Sequence, residues 1–452
     1  MTTVRRWYFL LVRAVSLQAV AWAVIWLLRG ILLPSLLADP ELFSVQIAII
    51  VIGLPIFLWH WSRAFGDIRS IAGDGRVDFG PLPSYVYGMS AGCIAPIIAN
   101  AITLLQSLFR VILNLYYKPL PSDLLPMEAS LHAGIAIFVL AGLTLYFRQL
   151  DRITPATGDG LSVHLSDVRR GFLLVLSVVG LSLTSASLIR LLRWLIFQIG
   201  GDGFAAVPVG GEGFAAVPGG VVGSEQSARL LVGLTLWQMS WRRAQVLFYA
   251  GRVEERESVL RKLYLYVIVF VGSLTVVTIA ATLIDGLLGL WLELESTGDL
   301  RVALLTMSVF GLLWAYHALV LQRDADLAPD VPSQAAIRRI YRYILATIGL
   351  GAVLIGLGGT ISVLIAMLST NGFGDGLREQ VAGSSAGLVA GLPVWLLSWR
   401  KVQLDSQSAG SEGQVERRAT IRKIYLYLFL FVATMTVLAS TVVILAQLLN
   451  LA

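Results

Sequence analysis

The chain has 452 residues, of which 57% are hydrophobic and only 14% charged. Soluble domains carry about 25% charged residues. A soluble fold cannot hide this much apolar surface, so a cytosolic globular protein is excluded, and so is an outer-membrane barrel, whose strands alternate instead of running unbroken. The net charge of +6, from 34 Lys and Arg against 28 Asp and Glu, concerns topology and lipid headgroups before nucleic acid.

Apolar runs long enough to span a bilayer fall at about 5–33, 43–63, 85–115, 130–150, 168–198, 229–249, 260–292, 301–321, 338–368, 379–399 and 422–450. The first is too long for a signal-peptide core and is interrupted by Arg13 and Arg29, so it is expected to stay as a spanning helix. The predicted fold is an all-α polytopic transmembrane protein of about eleven spans. Cys93, the one cysteine, excludes an internal disulfide and any Cys-based metal set.

Two kinds of segment alternate. The first opens with a basic pair and an aromatic three residues after the first base: Arg5-Arg6 with Tyr8, Arg169-Arg170 with Phe172, Arg261-Lys262 with Tyr264, Arg338-Arg339 with Tyr341, and Arg422-Lys423 with Tyr425. Tyr266, Tyr343 and Tyr427 add a second ring, and the copy at Tyr85 and Tyr87 lacks the bases. The second kind has Gly-Leu, an aromatic four residues on and a basic exit. Its copies start at Gly53 (Phe57, Trp61, Arg63), Gly142 (Tyr146, Arg148), Gly233 (Trp237, Trp241, Arg242) and Gly391 (Trp395, Trp399, Arg400); the looser Gly311 has Trp314 at three. Aromatics four apart share a helix face.

The repeat is therefore a two-helix hairpin, expected five times in parallel plus one terminal helix. A single integral membrane domain over 1–452 is expected, with repeats at about 1–78, 79–158, 159–257, 258–334 and 335–415 and a half repeat at 416–452. The segment 200–224, which carries the duplicated Phe-Ala-Ala-Val-Pro of Phe204 and Phe214, is expected to be a flexible outer loop. Lys and Arg crowd the ends where first-type helices begin and second-type helices finish. The positive-inside rule then places the N-terminus in the cytoplasm and, after eleven spans, Ala452 outside the cell membrane.

These openings and their Gly-Leu partners, best seen at 259–323 and 337–401, resemble a bacterial family of multi-span membrane proteins known as a domain of unknown function. The resemblance implies the hairpin fold and supplies no active site.

Nucleophile-elbow, zinc-protease, phosphate-loop and dinucleotide motifs are all missing, so no enzyme is expected, and no cofactor or metal. The candidate polar intramembrane site is Gln106, Arg110 and Asn114, which step by four on the third span, together with Arg13 and Asp285. The competing interpretation of the stripe is a buried interhelical hydrogen-bond set. Asp285 has the sign to pair with a neighbouring arginine. His60 and His317, at similar depth on two second-type helices, are weak candidates for ligating haem or chlorophyll magnesium.

The expected partners are the bilayer, anionic headgroups at the cytoplasmic face and other membrane subunits, with no nucleic acid. The expected role is that of a structural or accessory subunit in the inner membrane. The alternatives are a transporter or channel, and a cofactor-binding electron-transfer subunit.

Overall fold

The computed structural model describes residues 2–33, 40–72, 82–113, 125–153, 159–199, 219–250, 257–294, 299–327, 331–369 and 374–451. In chain order the helices are α1 (Thr2–Leu32), α2 (Pro40–Ala72), α3 (Leu82–Ile112), α4 (Pro126–Ile153), α5 (Asp159–Ile199) and α6 (Gly219–Tyr249). There follow α7 (Val259–Trp291), α8 (Leu300–Leu327), α9 (Pro332–Ser369), α10 (Asp375–Gln407), the short α11 (Ser411–Arg418) and α12 (Thr420–Leu451). Among the described residues there is no strand, as expected where lipid leaves backbone groups only internal partners. Half-buried hydroxyls follow the same constraint: Thr184 and Thr360 donate to the carbonyls of Gly180 and Gly356, one turn back.

The chain divides into two compact units, Met1–Arg256 and Glu257–Ala452. In the first, α1/α2, α3/α4 and α5/α6 form hairpins, α1 also touches α4, and α3 packs on α5 and α6. Its cores gather Leu10, Tyr85, Met89 and Phe147, and Ile25, Cys93, Ala136 and Leu140. In the second, α7/α8 and α9/α10 are hairpins, α7 packs on α9 and α10, and α12 meets α9 and α11. Here Tyr343, Ala346, Val402 and Tyr425 form the core.

The repeat has a packing meaning that the aromatic pattern does not reveal. Eleven residues after the first base stand Ser16, Gly180, Gly272 and Gly349. A Cβ on Gly180 would lie 2.5 Å from the Trp237 backbone nitrogen, and one on Gly233 would lie 3.1 Å from the Gly180 carbonyl oxygen. In the last hairpin, a Cβ on Gly349 would lie 2.5 Å from the Trp395 nitrogen and one on Gly391 3.1 Å from the Gly349 oxygen. Both crossings bring backbone against backbone, as small residues permit between membrane helices. In α7/α8, Gly272 meets the Trp314 Cβ, with a contact of 3.0 Å for its own added Cβ. Trp314 thus takes the place of Trp237 and Trp395, and Phe310 stands where the other hairpins have glycine.

Among the described residues ten helices are long and apolar enough to cross a membrane, and α6 is not one of them. Ser224, Glu225, Gln226 and Arg229 in its first half, and Arg242 and Arg243 in its second, lower its hydropathy. Yet α6 forms the same glycine crossing with α5 that α10 forms with α9. Of the expected outer loop, 200–218 lies outside the described residues, and 219–224 are the opening turns of α6. The helices also outrun their apolar cores. α5 starts at Asp159 and α2 continues to Ala72, because charged sequence beyond the apolar run still propagates a helix.

Candidate functional site: charges buried between hairpins

In the first unit the most enclosed charge is Arg13, wholly buried two turns beyond the opening bases of α1. Its guanidinium carbon lies 3.6 Å from the centre of the Trp61 ring, 4.9 Å from Tyr85 and 5.8 Å from Phe57. Its Nη2 donates to the Tyr146 hydroxyl at 3.2 Å. The rings come from α2, α3 and α4, so one cation joins four helices. Trp61 and Phe57 belong to the aromatic face set by the four-residue spacing. Cation–π contacts gain strength where water is excluded, which helps a helix keep a buried cation.

The polar face of α3 serves two different neighbours. Asn100 Oδ1 accepts from Arg29 Nη2 at 3.4 Å, and Arg29 Nε donates to the His132 carbonyl at 3.1 Å. Arg110, also buried, instead feels the carboxylate of Glu225 on α6. Its Nε has no hydrogen-bond partner among the described residues, and neither has the buried Gln226 Oε1. Gln106 is half-buried, and Asn114 lies outside the described residues.

In the second unit Ser258 caps α7, accepting from the Arg261 backbone nitrogen, and this sets Arg261 on the seam with α8. Its Nε and Nη2 reach the two oxygens of Asp324 at 2.8 and 3.2 Å. One turn further on, Tyr264 and His317 face each other, hydroxyl to Nε2, at 3.5 Å, and His317 Nδ1 lies 2.9 Å from the Leu313 carbonyl. A carbonyl only accepts, so Nδ1 carries the proton, and Nε2 then accepts from Tyr264. In the last hairpin Arg342 pairs with Asp405, and Arg339 with Glu416 of α11. Asp324 and Asp405 each stand fourteen residues past the glycine position of their hairpin, a carboxylate register the basic pairs do not announce. Lys262 and Arg170 are buried as well. Several opening bases are thus interior residues, where the sequence suggests only headgroup anchors.

Asp285 is half-buried against α10, its Oδ1 3.7 Å from where a Cβ on Gly383 would stand. The expected arginine partner is not found: no ion pair to Asp285 occurs among the described residues. The basic residue of that α10 end, Arg378, turns to the Leu292 carbonyl and Asp375.

His60 and His317 do share a register. His60 meets Tyr8 with ring centres 6.0 Å apart and tilted 58°, and His317 meets Tyr264 at 6.0 Å and 57°. His60 Nδ1 lies 2.8 Å from the Ile56 carbonyl, one turn back, as His317 does from Leu313. Each pair lies within its own unit. Among the described residues no group of three or more metal-ligating side chains gathers.

The sequence matches the model of a family described as "Domain of unknown function (DUF5671)" over residues 6–159, 170–313 and 339–452. The chain belongs to the DUF5671 family. No curated protein and no solved structure matches it. Each of the first two DUF5671 segments covers two successive hairpins, α1 to α4 and then α5 to the middle of α8. The family unit is therefore a pair of hairpins, twice the repeat that the basic-aromatic openings mark out. This DUF5671 chain is a multi-helix membrane protein with that unit repeated along it.

Proposed function

We propose that this chain is a non-catalytic scaffold of the cytoplasmic membrane, an accessory subunit around which other membrane chains assemble, with its basic end in the cytoplasm. One observation carries the proposal. Three buried arginines each join one helix to another: Arg13 to rings of three helices, Arg29 to α3 and α4, Arg261 to α8. Intramembrane charges that serve solute passage line a cavity or relay, whereas these are engaged in holding hairpins together. The α12 span, with none of its apolar window buried, leaves a lipid- or partner-facing surface. Purification from the native membrane in mild detergent, followed by native mass spectrometry, tests the proposal. A second polypeptide in fixed ratio is expected, and a chain that is always solitary would refute it.

A second possibility, solute passage, draws on Arg110, Gln106 and Gln226 beside the polar α6. Arg110→Ala separates the two. If Arg110 is structural, the variant loses stability in detergent, because Glu225 loses the cation that faces it. If it lines a path, stability is kept and anion flux into proteoliposomes changes.

A further inference from the structure

Between α1 and α2 runs an open groove of about 660 Å³, walled by residues such as Val12, Val15, Ala19, Ile49, Ile52 and Ile56. That volume is in the range of small-molecule sites, and the polar share of its surface is slight, with Ser16 the one hydroxyl in its wall. One helical turn past that wall, Tyr8, Phe9, Trp59 and His60 form a floor of rings with centres 4.6 to 6.2 Å apart. His60 is more than nine-tenths buried, and its Nε2 has no hydrogen-bond partner among the described residues.

Two arginines stand beyond that floor. Arg5 precedes Val12 by seven residues, and Arg63 follows Ile56 by seven. Seven residues is two turns, about 10 Å along the helix and nearly the same face. Because the helices are antiparallel, both cations come to the same end of the same groove. Both are exposed, and Arg63 rests over the Trp59 ring at 5.5 Å.

We propose that this groove is a specific site for one anionic glycerophospholipid. An acyl chain lies along Val12, Val15, Ile49 and Ile52, the glycerol region sits over the Tyr8–His60 floor, and the phosphate lies between Arg5 and Arg63. Charge complementarity decides the occupant: an apolar slot with two cations at one end matches a long apolar body with one anionic head. The proposal rests on the membrane character of the chain and is independent of the scaffold role, so either can fail alone.

The test uses the full chain in mild detergent with equal amounts of palmitoyl-oleoyl phosphatidylglycerol and phosphatidylcholine, and counts bound lipid by native mass spectrometry. Phosphatidylglycerol is expected to be retained in preference. Arg63→Gln and Arg5→Gln should each lower that preference about fivefold, the weight of one basic side chain near an anionic surface. Ile52→Trp, at a position 63% exposed and so compatible with folding, should remove the bound lipid by filling the slot. Ile355→Trp, on the exposed surface of α9, should leave it in place. Equal retention of both lipids, or retention unaffected by Ile52→Trp, would overturn the proposal. So would displacement of the lipid by inorganic phosphate alone, or the loss of a bound protein in place of lipid when the groove is filled.

Discussion

Asp324→Asn is the sharpest probe of how the second unit is held. The carboxylate is fully buried, and Arg261 is only 5% exposed. The two bonds at 2.8 and 3.2 Å form a fork-to-fork pair of the strong, charge-assisted kind. Asparagine keeps the shape but removes the charge, leaving a guanidinium in a place with little access to water. Breaking a buried pair from one side costs about 3–5 kcal/mol, whereas replacing both members by apolar residues is often neutral or stabilising. Asp324→Asn should therefore lose about 3 kcal/mol or more, and Arg261→Met with Asp324→Leu should recover most of it. The assay is reversible unfolding of the full chain in detergent micelles, titrated with denaturing detergent and followed by helical circular dichroism. A loss below about 1 kcal/mol, the scale of an exposed pair, would refute the buried-pair account. Equal losses in the single and double variants would refute it too.

The glycine crossing gives a contrast within α9. Gly349→Ala should destabilise by about 1–3 kcal/mol, because its Cβ would meet the Trp395 backbone. Gly351→Ala, where nothing lies within 4 Å, should be neutral or gain up to about 1 kcal/mol from helix propensity; equal effects in a thermal-denaturation series would contradict the crossing. In a Cys93→Ala background, single cysteines at Val222 and Ala250 should react with an impermeant maleimide from opposite sides of the membrane. Reaction from one side would leave α6 outside the count of spans and return Ala452 to the side of the N-terminus.

Much of the fold is legible in the sequence because lipid enforces it. Long apolar runs must be helices, and the basic-aromatic openings recur at hairpin starts. The seam is less legible. Ser16, Gly180, Gly272 and Gly349 look like unremarkable small residues until their distance from the bases is counted, and the one-residue slip at Trp314 hides the shared register of His60 and His317. The site is less legible still. Arg13 shows as a charge inside a span, but its ring partners lie on three other helices and are marked only as an aromatic face. Asp324 and Asp405 look like ordinary exit-loop acids, because burial depends on the neighbouring helix and not on local pattern. On α3, Arg110 faces Glu225 of α6, whereas Asn100, six residues before Gln106 and so carried round the helix, turns to Arg29 of α1.

The polarity of α6 bears on how the protein is made. On insertion scales an arginine or acid costs a segment about 2.5–3.5 kcal/mol at its centre and less towards its ends, and α6 carries Glu225, Arg229, Arg242 and Arg243. Such a segment has little reason to leave the translocation channel alone for lipid. With Gly180 and Gly233 closing α5 and α6 backbone to backbone, the strongly apolar α5 can shelter it, and the pair would enter the bilayer as one body. The small side chain at each crossing then governs whether a nascent hairpin is released together or stalls half inserted.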